Sequence, residues 1–363
     1  MEWLSDREAA QRLRQFDTAV AVMVDTEFVR ERTYYPELAL IQVGHADQTL
    51  LVDAPALGRD ASLLAFVENP AVKVMHSASE DLQAFQYALG VLPGKLFDTQ
   101  VAAALCGLDA GMSFQKLVAH FTGVQLEKGE TRSDWLQRPL SEAQLKYAAD
   151  DVRYLHAPYE ALKTRLQELS RQDWHAEDCD RMIRVAAKSE RDEHPHLAVR
   201  AAQNLSAEAQ SRLCRLLQWR DQLAEASNRP KTWILDTPLA VQLSEQPPTD
   251  ASDFRRRLDA YAKSPRRHRD DLWQELSRPL AQADRDIPLA RALMPTEQQQ
   301  IKQLQGVVAT HAKQLGIDES VLCSRRHLET LIVDKRWSDT LSGWRRRQLA
   351  DAFARTIPAT ETY

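Results

Sequence analysis

The sequence predicts an α/β domain, in which helices flank a mixed β-sheet, followed by two small all-α domains. The first observation is a group of three strand-like runs near the N-terminus, at residues 19–28 (AVAVMVDTEF), 38–43 (LALIQV) and 48–52 (QTLLV). The second is that only helical patterns follow residue 205, and that they repeat a common order. The third is the length, since 363 residues are too many for one hydrophobic core and fit two or three domains.

The order of elements in the first domain favours one type of sheet. Residues 45–47 form a link too short for a parallel crossover, so the first three strands are expected to form an antiparallel meander. A helix at Ser62–Glu68, a strand at Ala71–Met75 and a helix at Ser79–Leu89, closed by Gly90, are expected next. Mostly helical sequence continues to about residue 185. This order fits a ribonuclease H-like layout better than a doubly wound dinucleotide-binding fold.

The C-terminal half contains two modules with the same order of helix, break, apolar pair, cap and helix. In the first, a helix over Leu205–Ala226 precedes the apolar Trp233-Ile234-Leu235 and a helix start capped by Asp236. In the second, a helix over Ile301–Leu315 precedes Val321-Leu322 and a cap at Ser324. This rhythm predicts a diverged tandem repeat. With the charged segment 188–203 as a boundary, the predicted domains are 1–200, 206–287 and 295–363.

Composition excludes several classes of protein. No run of 18 apolar residues is present, and the N-terminus lacks the basic and apolar regions of a secretory leader, so we expect a soluble cytoplasmic protein without a membrane span. The four isolated cysteines, Cys106, Cys179, Cys214 and Cys323, are typical of reduced buried thiols rather than a zinc or redox site. Glycine is scarce, and no segment has the spacing of a P-loop, which excludes a P-loop ATPase.

The net charge of −5 conceals an asymmetry between the two halves of the chain. Residues 1–200 carry 22 basic and 31 acidic side chains, whereas residues 201–363 carry 25 basic and 21 acidic ones. An acidic N-terminal part suits the binding of cations, and a basic C-terminal part suits contact with a polyanion. The alternative on charge alone is that each half carries only the charge that keeps it soluble.

Two carboxylates occur in the middle of the first strand-like run. Asp25 and Glu27 are two residues apart and share one face of a strand, while Val22, Val24 and Phe28 occupy the other face. Two neighbouring carboxylates inside a sheet would be costly to desolvate and would repel each other, and a bound cation would resolve both problems. The alternative is an edge strand with a solvated acidic face.

Further acids lie on two helices. Asp81 falls in the first turns of the helix that follows the expected strand at Ala71–Met75. An acid at that place also suits the helix dipole and need not be a metal ligand. Ser141 and Gln144 form a capping box, so a helix is expected to carry Tyr147 and Asp151 on one face. By itself this pair is equally typical of a half-buried tyrosine near an exposed acid.

Taken together, these residues predict a two-metal centre. Four carboxylates on a strand and two helices can converge on two divalent cations, which activate a water and stabilise the leaving oxygen of a displacement at phosphorus. Oxygen ligands favour Mg²⁺ or Mn²⁺ over zinc. A phenol beside the last acid can orient the attacking water and share its proton.

The segments that carry these residues, VDTEF, HSASEDLQAF and YAADDVRYL, resemble the three exonuclease motifs of the DEDD superfamily in its tyrosine-bearing subclass. Residues 34–42, 97–99 and 133–140 also resemble bacterial ribonuclease D, and the two helical modules resemble the HRDC (helicase and ribonuclease D C-terminal) domains that follow that nuclease. The likeness covers nearly the whole chain. It implies a metal-dependent 3′–5′ exoribonuclease that releases 5′-mononucleotides, chiefly in trimming the single-stranded 3′ ends of tRNA precursors. A monomer is sufficient for this chemistry, and we expect one.

Residue by residue, the resemblance implies roles for six side chains. The metal ligands would be Asp25, Glu27, Asp81 and Asp151, with Tyr147 orienting the water. Asp150 competes with Asp151 by residue type, but its spacing from Tyr147 does not match the motif. His76 opens the second motif, as in ribonuclease D, and is expected either to touch the substrate phosphate or sugar or to serve as a structural histidine.

Two other functions stay open on the sequence. A DNA-directed 3′–5′ exonuclease of the same superfamily is the main alternative, because no residue in the sequence reveals a contact to the 2′-hydroxyl. A catalytically inactive nucleic-acid-binding protein is disfavoured by the presence of all five motif residues. The helical modules are expected to bind nucleic acid. Phosphate contacts would come from the basic runs at 255–257, 266–269, 325–326 and 345–347, and stacking faces from the tryptophans at 233, 273, 337 and 344. The alternative is that the basic runs are solvated surface and the tryptophans belong to the hydrophobic core.

Overall fold

The N-terminal part of the chain is built on one six-stranded mixed sheet. The computed structural model describes residues 1–17, 20–127, 129–130, 133–188 and 191–357. The strands are β1 (Glu2–Leu4), β2 (Ala21–Val29), β3 (Glu37–His45), β4 (Gln48–Asp53), β5 (Val72–Met75) and β6 (Leu96–Asp98). Their order across the sheet is β1-β4-β3-β2-β5-β6.

The antiparallel meander predicted from the short link is confirmed. β3 pairs antiparallel with both β2 and β4, whereas β5 joins β2 in parallel and β6 joins β5 in parallel. Two three-residue strands, β1 and β6, were not predicted, because runs so short carry no periodic pattern. Ala19, the start of the first expected strand, lies outside the described residues.

Both faces of the sheet are covered, so the central strands are buried on both sides. All seven interior residues of β3 are buried. Val22, Val24 and Ile41 belong to a core on one face, whereas Leu40 and Trp135 belong to a second core on the other. Alternate residues of β2 and β3 therefore face two different environments, as the period of a strand requires.

Among the described residues up to 188, nine α-helices accompany the sheet. They are α1 (Arg7–Ala10), α2 (Ala54–Leu57), α3 (Ala61–Glu68), α4 (Ser79–Ala88), α5 (Thr99–Leu105), α6 (Phe114–Thr122), α7 (Glu142–Arg153), α8 (His156–Glu168) and α9 (Gln172–Ala187). The predicted helices near residues 62 and 79 are confirmed as α3 and α4. A 3₁₀ helix at Gln11–Phe16 completes this region.

The described residues divide into two compact units. The first contains residues from Met1–Val29, Pro36–Lys188 and Met294–Tyr363, and the second contains residues from Arg30–Tyr35 and Ser189–Leu293. The last helical segment therefore groups with the sheet. The division into three domains at 1–200, 206–287 and 295–363 stays a prediction. None of the helices in the described ranges is long and apolar enough to cross a membrane.

The remaining helices follow the predicted tandem order. They are α10 (Ala207–Ala226), α11 (Lys231–Ile234), α12 (Thr237–Glu245), α13 (Ala251–Ala260), α14 (Arg269–Ser277), α15 (Gln282–Arg285), α16 (Pro295–Leu315), α17 (Glu319–Leu322), α18 (Arg325–Asp334) and α19 (Trp344–Thr356). In each module a long helix leads to a four-residue helix, α11 or α17. An extended residue follows it, Leu235 at φ −159° and Cys323 at φ −162°, and the next helix begins after the cap.

Two residues of α19 are buried against α9, contrary to the expectation that they would contact nucleic acid. Trp344 is 1% exposed and stacks on Trp174 with ring centroids 4.4 Å apart. Arg345 forms a buried, two-pronged ion pair with Asp178, at 2.5 Å and 3.0 Å, and the Trp344 indole N–H donates to the same carboxylate. Arg345 also donates to the Val321 carbonyl at 2.9 Å. These side chains are structural, because their polar groups and faces are already occupied.

Replacing Arg345 by Ala should lower the free energy of unfolding by about 3–5 kcal/mol, because the buried Asp178 carboxylate would lose its cation. The matched control is Arg347→Ala, since Arg347 is exposed and pairs with Glu177 of the same helix as Asp178. An exposed pair contributes only about 0–1 kcal/mol. Urea unfolding of both variants measures the difference, and equal losses would contradict the structural role.

Candidate active site

Asp25 and Glu27 lie on a central strand and face one helix, α7. β2 has β3 on one side and β5 on the other, so the alternative of an edge strand with a solvated face is wrong. The pairing between β2 and β5 ends at Met23, so both acids lie beyond the last paired residue of β2 at the carboxyl end of β5. Glu27 is paired with Leu40 of the α7-facing core, which places both acids on that face.

Helix α7 places Asp151 over this strand. The predicted capping box starts the helix, since the Ser141 hydroxyl accepts from the Gln144 N–H and the Gln144 side chain accepts from the Ser141 N–H. α7 then packs on β2, β3 and β4. At Gly44 of β3, a Cβ atom would lie 3.0 Å from the Cβ of Val152, so glycine permits the close approach.

Three carboxylates from these two elements form a compact cluster. One oxygen each of Asp25, Glu27 and Asp151 all lie within 4.8 Å of one another. Asp150, the competing acid, is absent from this group of described residues and instead forms an ion pair with Lys146 at 3.7 Å. The spacing argument for Asp151 over Asp150 agrees with this geometry.

Asp81 approaches the cluster from α4 but does not join it. Its carboxylate accepts a hydrogen bond from the Thr26 hydroxyl, and the side chain is buried. Leu82 and Phe85 of the same helix belong to the core on the opposite face of the sheet from Asp25. Asp81 therefore reaches the acidic site from the other side of β2.

Burial raises the pKa of all four carboxyl groups, and the charges of neighbouring carboxylates raise it further. The pKa of Glu27 rises to about 9 through burial and then through the charges of Asp151 and Asp81. The pKa of Asp151 rises to about 8, and that of Asp81 to about 7, with burial as the largest cause in both. Burial, followed by the charges of Asp151, Asp81 and Glu27, holds the pKa of Asp25 well above its ordinary value. A cation among these oxygens would reverse the effect, since opposite charge favours the ionised form.

A buried amide beside the cluster also fits an ion site. Gln42 is paired with Asp25 across β2 and β3 and is fully buried. Neither polar atom of its side chain has a hydrogen-bond partner among the described residues. An unpaired buried amide costs about 1–3 kcal/mol and calls for a bound water or ion. Carboxylate oxygens and a free amide next to them are donors that suit a hard divalent cation.

Comparisons with known proteins identify relatives that match nearly the whole chain. Residues 1–167 match the family described as 3′–5′ exonuclease. Ribonuclease D of Xanthomonas oryzae pv. oryzae is 45% identical over 359 residues, which cover 99% of this chain and 97% of that protein. Ribonuclease D of Pseudomonas paraeruginosa is 34% identical, covering 98% and 97% of the two chains. The chain belongs to the ribonuclease D family.

A solved structure extends the likeness to the full fold. The crystal structure of Escherichia coli RNase D, an exoribonuclease involved in structured RNA processing, superposes with a TM-score of 0.87 at 26% identity, and the match covers 99% of both chains. The expected mixed-sheet exonuclease fold and 3′–5′ exoribonuclease class are thereby confirmed. The exonuclease superfamily is metal-dependent, in agreement with the acidic cluster.

Within this ribonuclease D fold, Tyr147 lies one helical turn before Asp151 and lines the same cleft. The cleft measures about 260 Å³ and is lined by Tyr147, Asp151, Glu127 and Gly129 among others. A Cβ atom at Gly129 would lie 2.8 Å from the Tyr147 ring, so the absence of a side chain there leaves room for the phenol. Sequence reasoning missed Gly129, because an isolated glycine in a loop gives no pattern.

His76 has both ring nitrogens engaged inside the protein. One nitrogen is 2.9 Å from the Thr99 hydroxyl and the other is 3.0 Å from the Met112 carbonyl. Burial lowers the pKa of the imidazole, so the neutral form is favoured. These contacts fit the structural alternative better than a contact to substrate, whose assignment to His76 stays a prediction.

Asp98 is a second residue whose importance the sequence did not reveal beyond its place in a family-like segment. Its fully buried carboxylate accepts from the Ala78 N–H at 2.8 Å, just before α4. It also caps α5 by accepting from the N–H groups of Gln100 and Val101. One side chain thus fixes the start of the helix that carries Asp81, and its bond to Ala78 is set by tertiary structure, whereas the cap of α5 is local.

Replacing Glu27 by Gln should stabilise the metal-free protein and remove its response to metal. Because the carboxyl pKa values are raised, the folded state holds protons that the unfolded chain releases above its own pKa, so metal-free stability falls as pH rises toward about 9. In EDTA at pH 8, Glu27→Gln should therefore raise the melting midpoint, by about 2–4 °C for each kcal/mol of repulsion removed. Thermal melts with and without Mg²⁺ measure both effects.

The control is Glu37→Gln, which removes one exposed carboxylate at the end of β3. It should leave both the pH dependence and the response to Mg²⁺ as in the wild type. A Glu27→Gln protein that Mg²⁺ stabilises as much as the wild type would show that the acidic cluster does not bind the ion.

Replacing Asp98 by Ala should raise the metal concentration needed for half-maximal activity by about 10–100-fold, as loss of a supporting partner does at other metal sites. Asp98→Asn keeps one acceptor oxygen and should recover part of the loss. Asp60→Ala is the control, since Asp60 caps α3 through the Ser62 N–H, outside the acidic cluster. It should cost about 1 kcal/mol of stability without changing the metal requirement. An equal change in the two alanine variants would refute a positioning role for Asp98.

Proposed function

We propose that this chain hydrolyses RNA from its 3′ end, one 5′-mononucleotide at a time, with two divalent cations held by Asp25, Glu27, Asp81 and Asp151. The observation that carries the proposal is the approach of three ligand oxygens to within 4.8 Å on a central strand and α7. Asp81, whose carboxylate accepts a hydrogen bond from the Thr26 hydroxyl, would supply the fourth carboxylate from α4. The donor set consists of oxygens alone, which favours Mg²⁺ or Mn²⁺.

The protein's own side chains position the reaction. Burial and the charges of Asp151, Glu27 and Asp25 raise the pKa of Tyr147 above its ordinary value, so its phenol stays protonated. Tyr147 therefore orients the attacking water by hydrogen bonding and does not act as a phenolate base. Bound cations would supply the chemistry of activating that water and stabilising the leaving 3′ oxygen.

Several features support RNA as the substrate. Relatives at 45% and 34% identity across nearly the whole chain are named ribonuclease D, and the similar E. coli enzyme is an exoribonuclease involved in structured RNA processing. We infer that the substrates here are chiefly tRNA precursors with single-stranded 3′ ends, acted on by a monomer in the cytoplasm. The acidic cluster lies within one chain, so the chemistry needs no second copy.

The decisive experiment is a gel time course on end-labelled single-stranded RNA and DNA of one sequence, with Mg²⁺, Mn²⁺ or EDTA. We expect the RNA to shorten from its 3′ end only when metal is present. Asp25→Asn should lower the rate by more than about 100-fold, because it removes a ligand, and even supporting partners of ligands cost about 10–100-fold. Asp150→Asn, which removes the neighbouring acid outside the cluster, should retain activity.

Other outcomes separate the alternatives. Faster loss of DNA than of RNA would favour the DNA-directed exonuclease. An absence of cleavage with either metal would favour an inactive binding protein. Full activity of Asp25→Asn, or a complete loss in Asp150→Asn, would overturn the ligand assignment.

A further inference from the structure

Arg138 joins three segments around the acidic cluster without contributing to the cluster itself. The Asp53 carboxylate, at the end of β4, accepts from its Nε at 2.9 Å and from its Nη2 at 2.7 Å. Nη2 also donates to the Ala39 carbonyl of β3 at 2.9 Å. Nη1 donates to the carbonyls of Trp135 and Gln137, in the loop before α7, at 2.8 Å each. Every N–H group of the guanidinium is therefore engaged inside the protein.

The Ala39 carbonyl belongs to a β-bulge beside Glu27. Glu27 is paired with Leu40, whereas the next residue of β2 is paired with Leu38, so Ala39 is the extra residue on β3. The pairing of β3 with β4 also stops before Ala39. A bulge bends its strand and re-aims the side chains next to it. The direction in which Glu27 points is therefore coupled to a bulge whose skipped carbonyl is held by Arg138.

The same arginine holds the loop that leads into α7. Gln144, a buried residue in the first turn of α7, fixes this loop at two further points. Its side-chain nitrogen donates to the Asp134 carbonyl at 3.1 Å, and its side-chain oxygen accepts from the Gln137 amide at 2.7 Å. The loop and the start of α7 are therefore tied together. Because Arg138 donates to two carbonyls of that loop, it connects β3 and β4 to the helix that carries Asp151.

The charge of Arg138 is already compensated, so its role is one of geometry. The two-pronged pair with Asp53 matches a planar guanidinium to a planar carboxylate, which fixes the orientation of both groups. The side chain of Asp53 is 9% exposed, and the Trp3 ring of β1 lies 5.4 Å from the guanidinium carbon. An arginine with every donor engaged would have to give up a partner to bind a phosphate. Arg138 is therefore better suited to supporting the site than to binding substrate.

We infer that Arg138 is a positioning residue for the acidic cluster, which holds Glu27 of β2 and Asp151 of α7 at the separation that a divalent cation requires. The inference rests on the proposed function, because it assigns a support to the metal site proposed there. Like charges repel the strand and the helix from each other in the metal-free protein, so the two elements need a fixed link. Arg138 supplies that link through the bulge of β3 on one side and the loop before α7 on the other.

The test measures the binding of Mn²⁺ to the full-length chain without RNA, by calorimetric titration. Arg138→Ala should weaken the affinity by about 10–100-fold, the loss found when a supporting partner of a metal ligand is removed. Arg138→Lys keeps the charge but has fewer donors and no planar fork, so it should recover only a small part of the loss.

Chemical rescue separates the fork from the charge. Guanidinium ion, at concentrations that leave the fold intact, should restore Mn²⁺ affinity to Arg138→Ala, because it supplies the same forked donors. Methylammonium, a cation without the fork, should not. In hydrolysis assays the metal concentration for half-maximal rate should rise in Arg138→Ala, while the KM for RNA at saturating metal stays as in the wild type.

The matched control is Arg345→Ala, which removes an arginine from another two-pronged pair, with Asp178 of α9. It loses stability but should bind Mn²⁺ as the wild type does, at a temperature where circular dichroism shows every variant folded. Hydrogen exchange gives a readout that needs no metal. In Arg138→Ala the amides of residues 27–29 and 142–146 should exchange faster than in the wild type, whereas in Arg345→Ala they should exchange at the wild-type rate.

Two results would overturn the inference. The first is an Arg138→Ala protein that binds Mn²⁺ as tightly as the wild type, and the second is an equal loss of Mn²⁺ affinity in Arg345→Ala. If Arg138→Ala does not fold, Arg138→Lys decides, and wild-type affinity in that variant overturns the inference equally. If the wild type itself does not bind Mn²⁺, the proposed function fails instead, and hydrogen exchange still decides whether Arg138 holds β2 and α7.

Discussion

The repulsion between buried carboxylates is the constraint on which the arrangement of the α/β part depends. Asp25 and Glu27 lie on a central strand that is covered by α7, and Asp151 comes from that helix to meet them. Placing three acids so close inside a protein destabilises the metal-free fold, because burial and like charge both disfavour the ionised form. The surrounding structure must supply enough stability to hold them until a cation compensates the charge.

That stability comes from contacts outside the cluster. A hydrophobic core packs against each face of the sheet, and a capping box fixes the start of α7. Gly44 lets α7 approach β3, while Asp98 fixes the chain just before α4. The elements that carry the acids thus have anchors of their own. The cluster can therefore be strained electrostatically while its backbone positions remain defined.

Local sequence patterns predicted the elements with strong periodicity and the acids that they carry. The strand with Asp25 and Glu27, the cap at Ser141 and the repeated helical order all have local signals, and each was found where expected. The burial of Trp344 and the role of Asp98 before α4 have no local signal, because their hydrogen-bond partners lie 166 and 20 residues away. A strand too short for a period, such as β6, is equally invisible. Side-chain partners that tertiary packing sets were therefore beyond the reach of sequence patterns.

The two helical modules share one order of elements but differ in what surrounds their arginine and tryptophan side chains. Both use a long helix, a four-residue helix, an extended residue and a capped helix. In the second module Trp344 and Arg345 of α19 are buried against α9, where Arg345 neutralises Asp178. In the first module, Trp233 remains exposed and lines a cavity together with Arg229, Lys263, Arg266 and Arg267. An arginine or tryptophan in such a repeat therefore has a role that depends on whether a carboxylate or another ring already occupies it, and not on the residue type itself.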